Sequence, residues 1–343
     1  MEEYNLNITD FLDKSATIPV IDVRSPAEFE HGHIPGAINL PLFTNEERSI
    51  VGTLYLQKGS SEAIMKGLEL IGPKMKDFAN VALDMAPGKE ILVHCWRGGM
   101  RSNSMAWLLN TIGIKAYTLE GGYKTYRRYA QSYFSKPFRL IVIGGMTGSG
   151  KTEVLERIES KGKSVIHLES LARHKGSVFG GIGMPSQPST EQFENDLFTS
   201  LMQFNLEEPI FIEDESLAIG SVFIPKPFFD QISKSKHVNL DVPFNRRMHQ
   251  LVESYTGGDN EYLISSVKRI EKRLGLANAI LAIEHINNHQ MIKAVEIVLH
   301  YYDKVYTRSM NLHKQKEVTE IAVNNESLEE IAFKIINTMN NKN

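Results

Sequence analysis

The chain of 343 residues contains one cysteine, Cys95, so no internal disulfide can form and any role of this side chain lies in reactivity, ligation or packing. No segment reaches the roughly 18 apolar residues that a membrane span needs, so no membrane partner is expected. The opening stretch MEEYNLNITDFLDK is acidic and lacks a basic run followed by an apolar one, and a cytoplasmic location is the expectation. There is no internal repeat and no low-complexity tract, apart from a polar ending, NTMNNKN, that is expected to fray. Positive charge is not in excess either: 38 Lys and Arg against 41 Asp and Glu give a net charge of −3. That balance argues against a broadly cationic nucleic-acid binder and leaves such a partner to local patches. The patches are Arg97, Arg101, Lys124, Arg127, Arg128, Lys136 and Arg139; then Arg173, His174 and Lys175; Arg246 and Arg247; and Lys268, Arg269, Lys272 and Arg273. Each taken singly reads as a solvated face.

What is present is an ordinary globular composition, 42% hydrophobic and 23% charged, long enough for two or three domains. Short apolar runs alternate with helical patterns in the first half: Ile18–Val23, a turn-rich stretch with Gly32, Pro35 and Gly36, then Ile91–His94 before the helix-like SNSMAWLLN. This alternation predicts an α/β fold with a parallel sheet over 1–136. Phe134–Arg139, with Pro137, interrupts the pattern, and a second α/β domain is expected over 137–245, with strands at Leu140–Ile143, Ser164–Leu168, Ile210–Glu213 and His237–Val242. From 246 to 343 the spacing turns helical, in Tyr262–Leu274, Leu276–Ile286 and Ile292–Tyr306, as a region that packs on or continues the second domain.

In ILVHCWRGGMRS, Cys95 follows an apolar strand and opens a loop that leads into a helix. Backbone N–H groups in such a loop form an anion nest, to which the helix adds the positive end of its dipole. Arg97, Gly98, Gly99 and Arg101 are the candidate lining of that pocket, with Arg101 reaching back over it. A thiol so placed falls from about 8.5 into the range of roughly 3.5–7.5 and becomes a nucleophile at neutral pH. Read as HC-x5-R-S, His94 to Ser102 match the phosphocysteine-forming phosphatases; the alternative is a thiolate that takes up sulfur or selenium and passes it on. IDVRSPAEFEHGHIPGAINLP, Ile21 to Pro41, and LEGGYKTYRR, Leu119 to Arg128, resemble the signature and closing segments of rhodanese domains. The active loop is one residue longer than in many rhodaneses and is similar to that of dual-specificity phosphatases. Asp22 and Arg24 read as a structural ion pair, and His31 and His33 as turn residues, since no further ligands follow at metal-binding spacing.

Gly145 to Thr152, GMTGSGKT, fits G-x-x-x-x-G-K-[ST] after the strand LIVIGG and before the helix-like TEVLERIES. Gly145, Thr147, Gly148, Ser149 and Gly150 are expected to wrap phosphate oxygens, Lys151 to supply a cation, and Thr152 to offer a hydroxyl to Mg2+, the candidate ion. In PIFIEDES, Asp214 is the candidate Walker B carboxylate. LARHKGSVFGGIG, Leu171 to Gly183, is a basic, glycine-rich loop suited to a diphosphate or an RNA backbone, or to simple connection. The motif says polyphosphate and does not choose which one.

A rhodanese-like domain followed by a P-loop NTPase-like domain, together with NEERSIVGTLYLQKG, RHKGSVFG, QPSTEQFE and YYDKVY, resembles the tRNA 2-selenouridine synthase family over nearly the full length. The resemblance implies a transferase with tRNA as partner, acting on the wobble uridine. It implies geranyl diphosphate and selenophosphate as co-substrates and no tightly bound cofactor: S-geranylation of 2-thiouridine comes first, then replacement of S-geranyl by selenium. It places Cys95 in the selenium stage, carrying a perselenide or assisting removal of the geranylthio group. Trp96, beside it, is suited to stacking on the base or to packing against its own loop. Outside this family, the alternatives are a sulfurtransferase with an ATP-driven partner domain, a phosphatase, and a nucleotide-sensing module with an inert cysteine.

Overall fold

The computed structural model describes residues 4–176, 184–255, 260–312 and 318–340. The chain divides into two compact units, Met1–Tyr133 and Phe134–Asn343. In the first, β1 (Tyr4–Leu6), β2 (Val20–Asp22), β3 (Ile38–Asn39), β4 (Glu90–His94) and β5 (Lys115–Leu119) form a sheet in the order β1-β5-β4-β2-β3, every pair parallel. The parallel order follows from helical crossovers that cover the sheet, so β4 reads ILVH and is wholly buried from Ile91 to His94. The core gathers Ile21, Val23, Ile91 and Val93 with Met105 and Leu109 of the helix Met100–Thr111. Pro26 at the first turn of the helix Pro26–His31 needs no donor there, and Glu28 accepts from the Ser25 amide at 3.0 Å, which fixes where that helix starts.

The second unit carries β6 (Leu140–Gly145), β7 (Ser164–Ile166), β8 (Ile210–Glu213), a short hairpin β9 (Ala218–Ile219) and β10 (Val222–Phe223), β11 (Lys236–Asp241) and β12 (Val318–Ala322). Its sheet runs β12-β11-β6-β8-β7, again all parallel. Helices Phe244–Tyr255, Asn260–Leu274, Leu276–Asn287 and Met291–Leu312 follow, and the last three share a core of their own around Leu263, Val267, Ala282 and Val298. The stretch from 246 onward is not helical throughout. Val318–Ala322, too short and too β-branched to register as a helix, pairs in parallel with β11, and Leu328–Asn340 lays Ile331 and Ile335 against Leu155 and Ile158. The C-terminal segment therefore completes the sheet of the second unit.

Candidate functional site

β4 ends at His94 and presents Cys95 at the mouth of a loop that turns into the helix Met100–Thr111. The sulfur accepts from the Gly99 amide at 3.4 Å and lies 3.3 Å from Ser102 Oγ. Burial, the strongest influence, pushes the thiol up; the Ser102 hydroxyl, the Gly99 amide and the Arg101 charge outweigh it and hold Cys95 below the ordinary thiol range. The loop is held from behind by the LEGG turn. Tyr123 and Lys124 amides donate to the carbonyls of Cys95 and Trp96 at 2.8 and 3.0 Å. Gly98 and Gly122 both have φ near +61°, and a Cβ on Gly98 would lie 2.4 Å from Leu119 O, one on Gly122 2.3 Å from Gly98 N. Two backbones meet without side chains between them, which is why glycines stand at both places.

Arg101 does not hang over the pocket alone: its Nη1 donates to Glu28 Oε2 at 2.7 Å and its Nη2 to Oε1 at 3.4 Å. Glu28 thus caps one helix and anchors the active-loop arginine, joining the segment Ile21–Pro41 to the cysteine loop through one carboxylate. Arg97 is exposed and has no ion-pair partner among the described residues. Arg24 grips Asp22 through Nε and Nη2, the shortest contact 2.6 Å, in full burial and under the ring of Tyr123 at 3.8 Å. His94 is buried beside them, and burial first of all pushes its pKa down, so it stays neutral. His33 bonds Phe29 O at 2.9 Å and stacks on Phe29; no group of three metal-ligating side chains is found among the described residues. Trp96 leans on Tyr123, ring centroids 5.7 Å apart, and keeps 36% of its surface exposed.

In the second unit, Gly145, Thr147, Gly148, Ser149, Gly150, Lys151 and Thr152 line one cleft of about 1070 Å3 at the C-terminal end of the sheet. Lys151 Nζ bends back to Gly145 O at 3.2 Å, across the mouth of the loop. Ser149 Oγ is buried with no hydrogen-bond partner, a donor left for a ligand oxygen. The Walker B position needs correction. Thr152 Oγ1 donates at 3.3 Å to Glu213 Oε1 and to Glu169 Oε2, whereas Asp214, the next residue, turns to His237, with Oδ1 3.8 Å from Nε2. Successive residues at the end of a strand face opposite sides, and the glutamate has the parity that meets the loop. Glu213 is fully buried; burial and then the charge of Glu169 raise its pKa to about 7. Glu215 is pushed up in the same way, by burial and then by Glu169.

The helical region contributes residues that motif reading missed. Arg247, from a basic pair read as solvated, is buried: Nη1 and Nη2 donate to the two oxygens of Asp303 at 2.8 Å, and Nη1 also reaches Thr147 O at 3.2 Å. Tyr306 OH accepts from the Gly145 amide at 3.2 Å. Asp303 and Tyr306 are the acid and the last tyrosine of YYDKVY, the one signal that could have placed them. Of the loop Leu171 to Gly183, Lys175 and Gly176 line the cleft, Arg173 donates to Ser186 O at 3.1 Å, and residues 177–183 lie outside the described residues. Leu217, Phe229, Ile232 and Val305 give the same cleft an apolar wall.

A family model described as the tRNA 2-selenouridine synthase AAA domain matches residues 138–335, and a rhodanese-like domain model matches 8–129. A tRNA 2-selenouridine synthase of Hydrogenovibrio crunogenus is 37% identical over 281 residues, 75% of this chain and 76% of that protein. One from Nitrosomonas europaea is 42% identical over 249 residues, 70% of this chain, and the match spans 64% of that relative's length. A solved N-terminal domain from Clostridium difficile 630 is 42% identical, with 36% of this chain and 96% of that one covered at a TM-score of 0.34.

Proposed function

This chain belongs to the tRNA 2-selenouridine synthase family, and from that premise we propose that it converts the wobble 2-thiouridine of tRNA to 2-selenouridine through an S-geranyl intermediate. The observation that carries this reading is the cleft of the second unit, where a phosphate-gripping loop and the side chains Leu217, Phe229, Ile232 and Val305 share one cavity. A diphosphate joined to an apolar allylic chain matches both halves of such a lining. In the first stage the thiocarbonyl sulfur bonds to C1 of the geranyl group, the C1–O bond breaks and its electron pair leaves on the diphosphate. The loop amides and Lys151 stabilise that growing charge. The oxygens of Thr152, Glu213 and Glu169 are hard donors that suit Mg2+, which would arrive with the diphosphate and share its charge.

In the second stage the selenium of selenophosphate adds at C2 of the base and the C2–S bond breaks, releasing the geranylthiol; water then cleaves the Se–P bond, leaving 2-selenouridine and phosphate. Cys95 serves this stage as a nucleophile whose thiolate form the loop favours. Of its two candidate roles, assisting removal of the geranylthio group balances with selenophosphate as donor; a perselenide on Cys95 would need a two-electron oxidant, because the selenium of selenophosphate is already at the selenide level. The phosphatase alternative would need the Arg101 guanidinium turned onto a phosphoryl group, and both of its terminal nitrogens are committed to Glu28. A cytoplasmic location accords with this chemistry on tRNA, and no helix among the described residues is long and apolar enough to cross a membrane. The test is mass spectrometry of nucleosides from 2-thiouridine tRNA incubated with the protein, geranyl diphosphate and selenophosphate. Geranylthiouridine followed by selenouridine is expected. Unchanged thiouridine from folded protein, with turnover of thiosulfate and ATP instead, would replace this reading by a sulfurtransferase.

A further inference from the structure

Asp214, turned away from Thr152, faces a second part of the cleft. Its Oδ1 lies 3.8 Å from His237 Nε2, and its Oδ2 stands beside Gly144, immediately before the phosphate loop, 3.3 Å from where a Cβ on that glycine would be. His237 Nδ1 is 2.8 Å from Ser235 O. A carbonyl only accepts, so Nδ1 carries the ring proton and Nε2 turns its lone pair toward Asp214 and the cleft. Two residues further along β11, on the same side, Asn239 donates to Glu320 at 2.9 Å and accepts from Tyr306 at 3.5 Å. His237, Asn239 and Asp214 thus form a polar corner of the cleft, with Phe229 and Ile232 as its apolar neighbours.

S-alkylation of a 2-thiouracil has a requirement that diphosphate binding does not meet. The reactant has C2=S and N3–H; the neutral product has C2–S–R and a C2=N3 double bond. As the sulfur bonds to carbon and the diphosphate leaves with the C–O electron pair, the N3 proton must go to a base. We propose that this polar corner receives the C2–N3 edge of the thiouracil ring and that His237 Nε2 takes the N3 proton, with the Asp214 carboxylate beside it stabilising the imidazolium that forms. This inference rests on the prenyl-transfer reading above. The phosphate loop then holds the electrophile, while the strand ends beside it hold the nucleophile and its base.

Among the described residues, the phenol of Tyr306 on the helix Met291–Leu312 feels the charges of Asp214, of Glu320 on β12 and of Glu215 just beyond β8. Tyr306 stays a phenol, its pKa pushed up to about 12 by burial and then by the charge of Asp214. Tyr306, Glu320 and Glu215 are unchanged in the variants used, so a ratio of variant to parent isolates the pair. The experiment follows S-geranylation of a 2-thiouridine anticodon stem-loop by the full chain, Asp214→Asn, His237→Gln and His237→Asn, from neutral to alkaline pH, with geranyl diphosphate binding measured for each. His237→Asn keeps a donor for Ser235 O, so it carries the test if the other variants do not fold. Expected are unchanged geranyl diphosphate binding and a kcat lowered about 10^2–10^4-fold at neutral pH, the range of general-base catalysis. The deficit should shrink at alkaline pH, where the thiouracil N3–H ionises unaided. Parent-like rates, or a deficit constant across the pH range, would overturn the assignment while leaving prenyl transfer intact. No S-geranyl product from the parent chain would overturn prenyl transfer and this inference together.

Discussion

In each unit a parallel strand ends in a glycine-containing loop that turns into a helix, β4 into 95–99 and β6 into 146–150. The first loop closes round a single sulfur: amide, hydroxyl and guanidinium lower the pKa of Cys95, and Glu28 balances the guanidinium. The second opens on a cleft of about 1070 Å3 whose buried carboxylates, Glu213 and Glu215, are pushed upward instead. The same backbone device therefore serves opposite ends. One site favours negative charge on its sulfur; the other favours the neutral form of its acids. What differs lies outside the loops, in which elements pack behind them.

The sharpest way to break the comparison is to ask whether the two loops act at different stages. Lys151→Ala should lower geranylation about 10^2–10^3-fold, the usual cost of removing a group that stabilises a leaving charge, and should leave pre-geranylated tRNA a substrate for selenation. Cys95→Ala should geranylate at the parental rate and accumulate geranylthiouridine without selenouridine. Nucleoside mass spectrometry reads both; the same stage failing in both variants would end the division of labour.

How much of this was legible depended on distance along the chain. The phosphate loop and the Asp22–Arg24 pair are local, and their spacing alone points to their partners. The strand-end acid that meets Thr152 was misplaced by one because IFIEDE offers three adjacent acids, and sequence does not say which face of the strand meets Thr152. Glu169 reaches that threonine from 17 residues away, and Arg247 and Tyr306 reach the loop from 100 and 161 residues away. Such contacts are set by tertiary packing. Arg247 looked solvated because its partner, Asp303, lies 56 residues on, and β12 was missed because five residues after a long helical stretch carry little periodic signal.

A smaller effect tests the packing behind the cysteine loop. Gly98→Ala forces a Cβ to within 2.4 Å of a backbone oxygen at a positive φ, and strain with overpacking should cost about 3 kcal/mol in urea unfolding. Gly88→Ala, where a Cβ meets nothing within 4 Å, is the control and should change little. Equal effects would mean that the LEGG turn does not brace the loop.

The carboxylates of the other site should show the opposite pH linkage. The folded pKa of Glu213 is raised from 4.5 to about 7, so the unfolded chain releases this proton first. The resulting cost is absent below pH 4.5, grows as pH rises to about 7 and is complete above, on the order of 3 kcal/mol. Glu213→Gln, a neutral mimic of the protonated acid, should remove that loss, and urea midpoints of parent and variant should diverge between those pH values. Parallel curves would show that Glu213 ionises in the folded protein as readily as in the unfolded chain. Cys95 should act in the reverse sense: its lowered pKa adds stability that is complete above the unfolded value of 9.0 and is lost as pH falls through the folded value.

The smallest change concerns Ser102, whose hydroxyl has one proton to share between Cys95 Sγ at 3.3 Å and Gly99 O at 3.0 Å. With a neutral thiol the carbonyl is the better acceptor; with a thiolate the sulfur is, because a charged acceptor strengthens the bond. Ser102→Ala removes the largest influence that lowers the thiol pKa and leaves the Gly99 amide and Arg101 in place. The pH profile of Cys95 alkylation should shift to higher pH, and the rate at neutral pH should fall several-fold as the thiolate fraction shrinks. Ser102→Thr keeps the hydroxyl and should restore the parental profile. If alanine and threonine behave alike, the Gly99 amide and the arginine suffice, and the cysteine loop would match the phosphate loop in relying on backbone and cation alone.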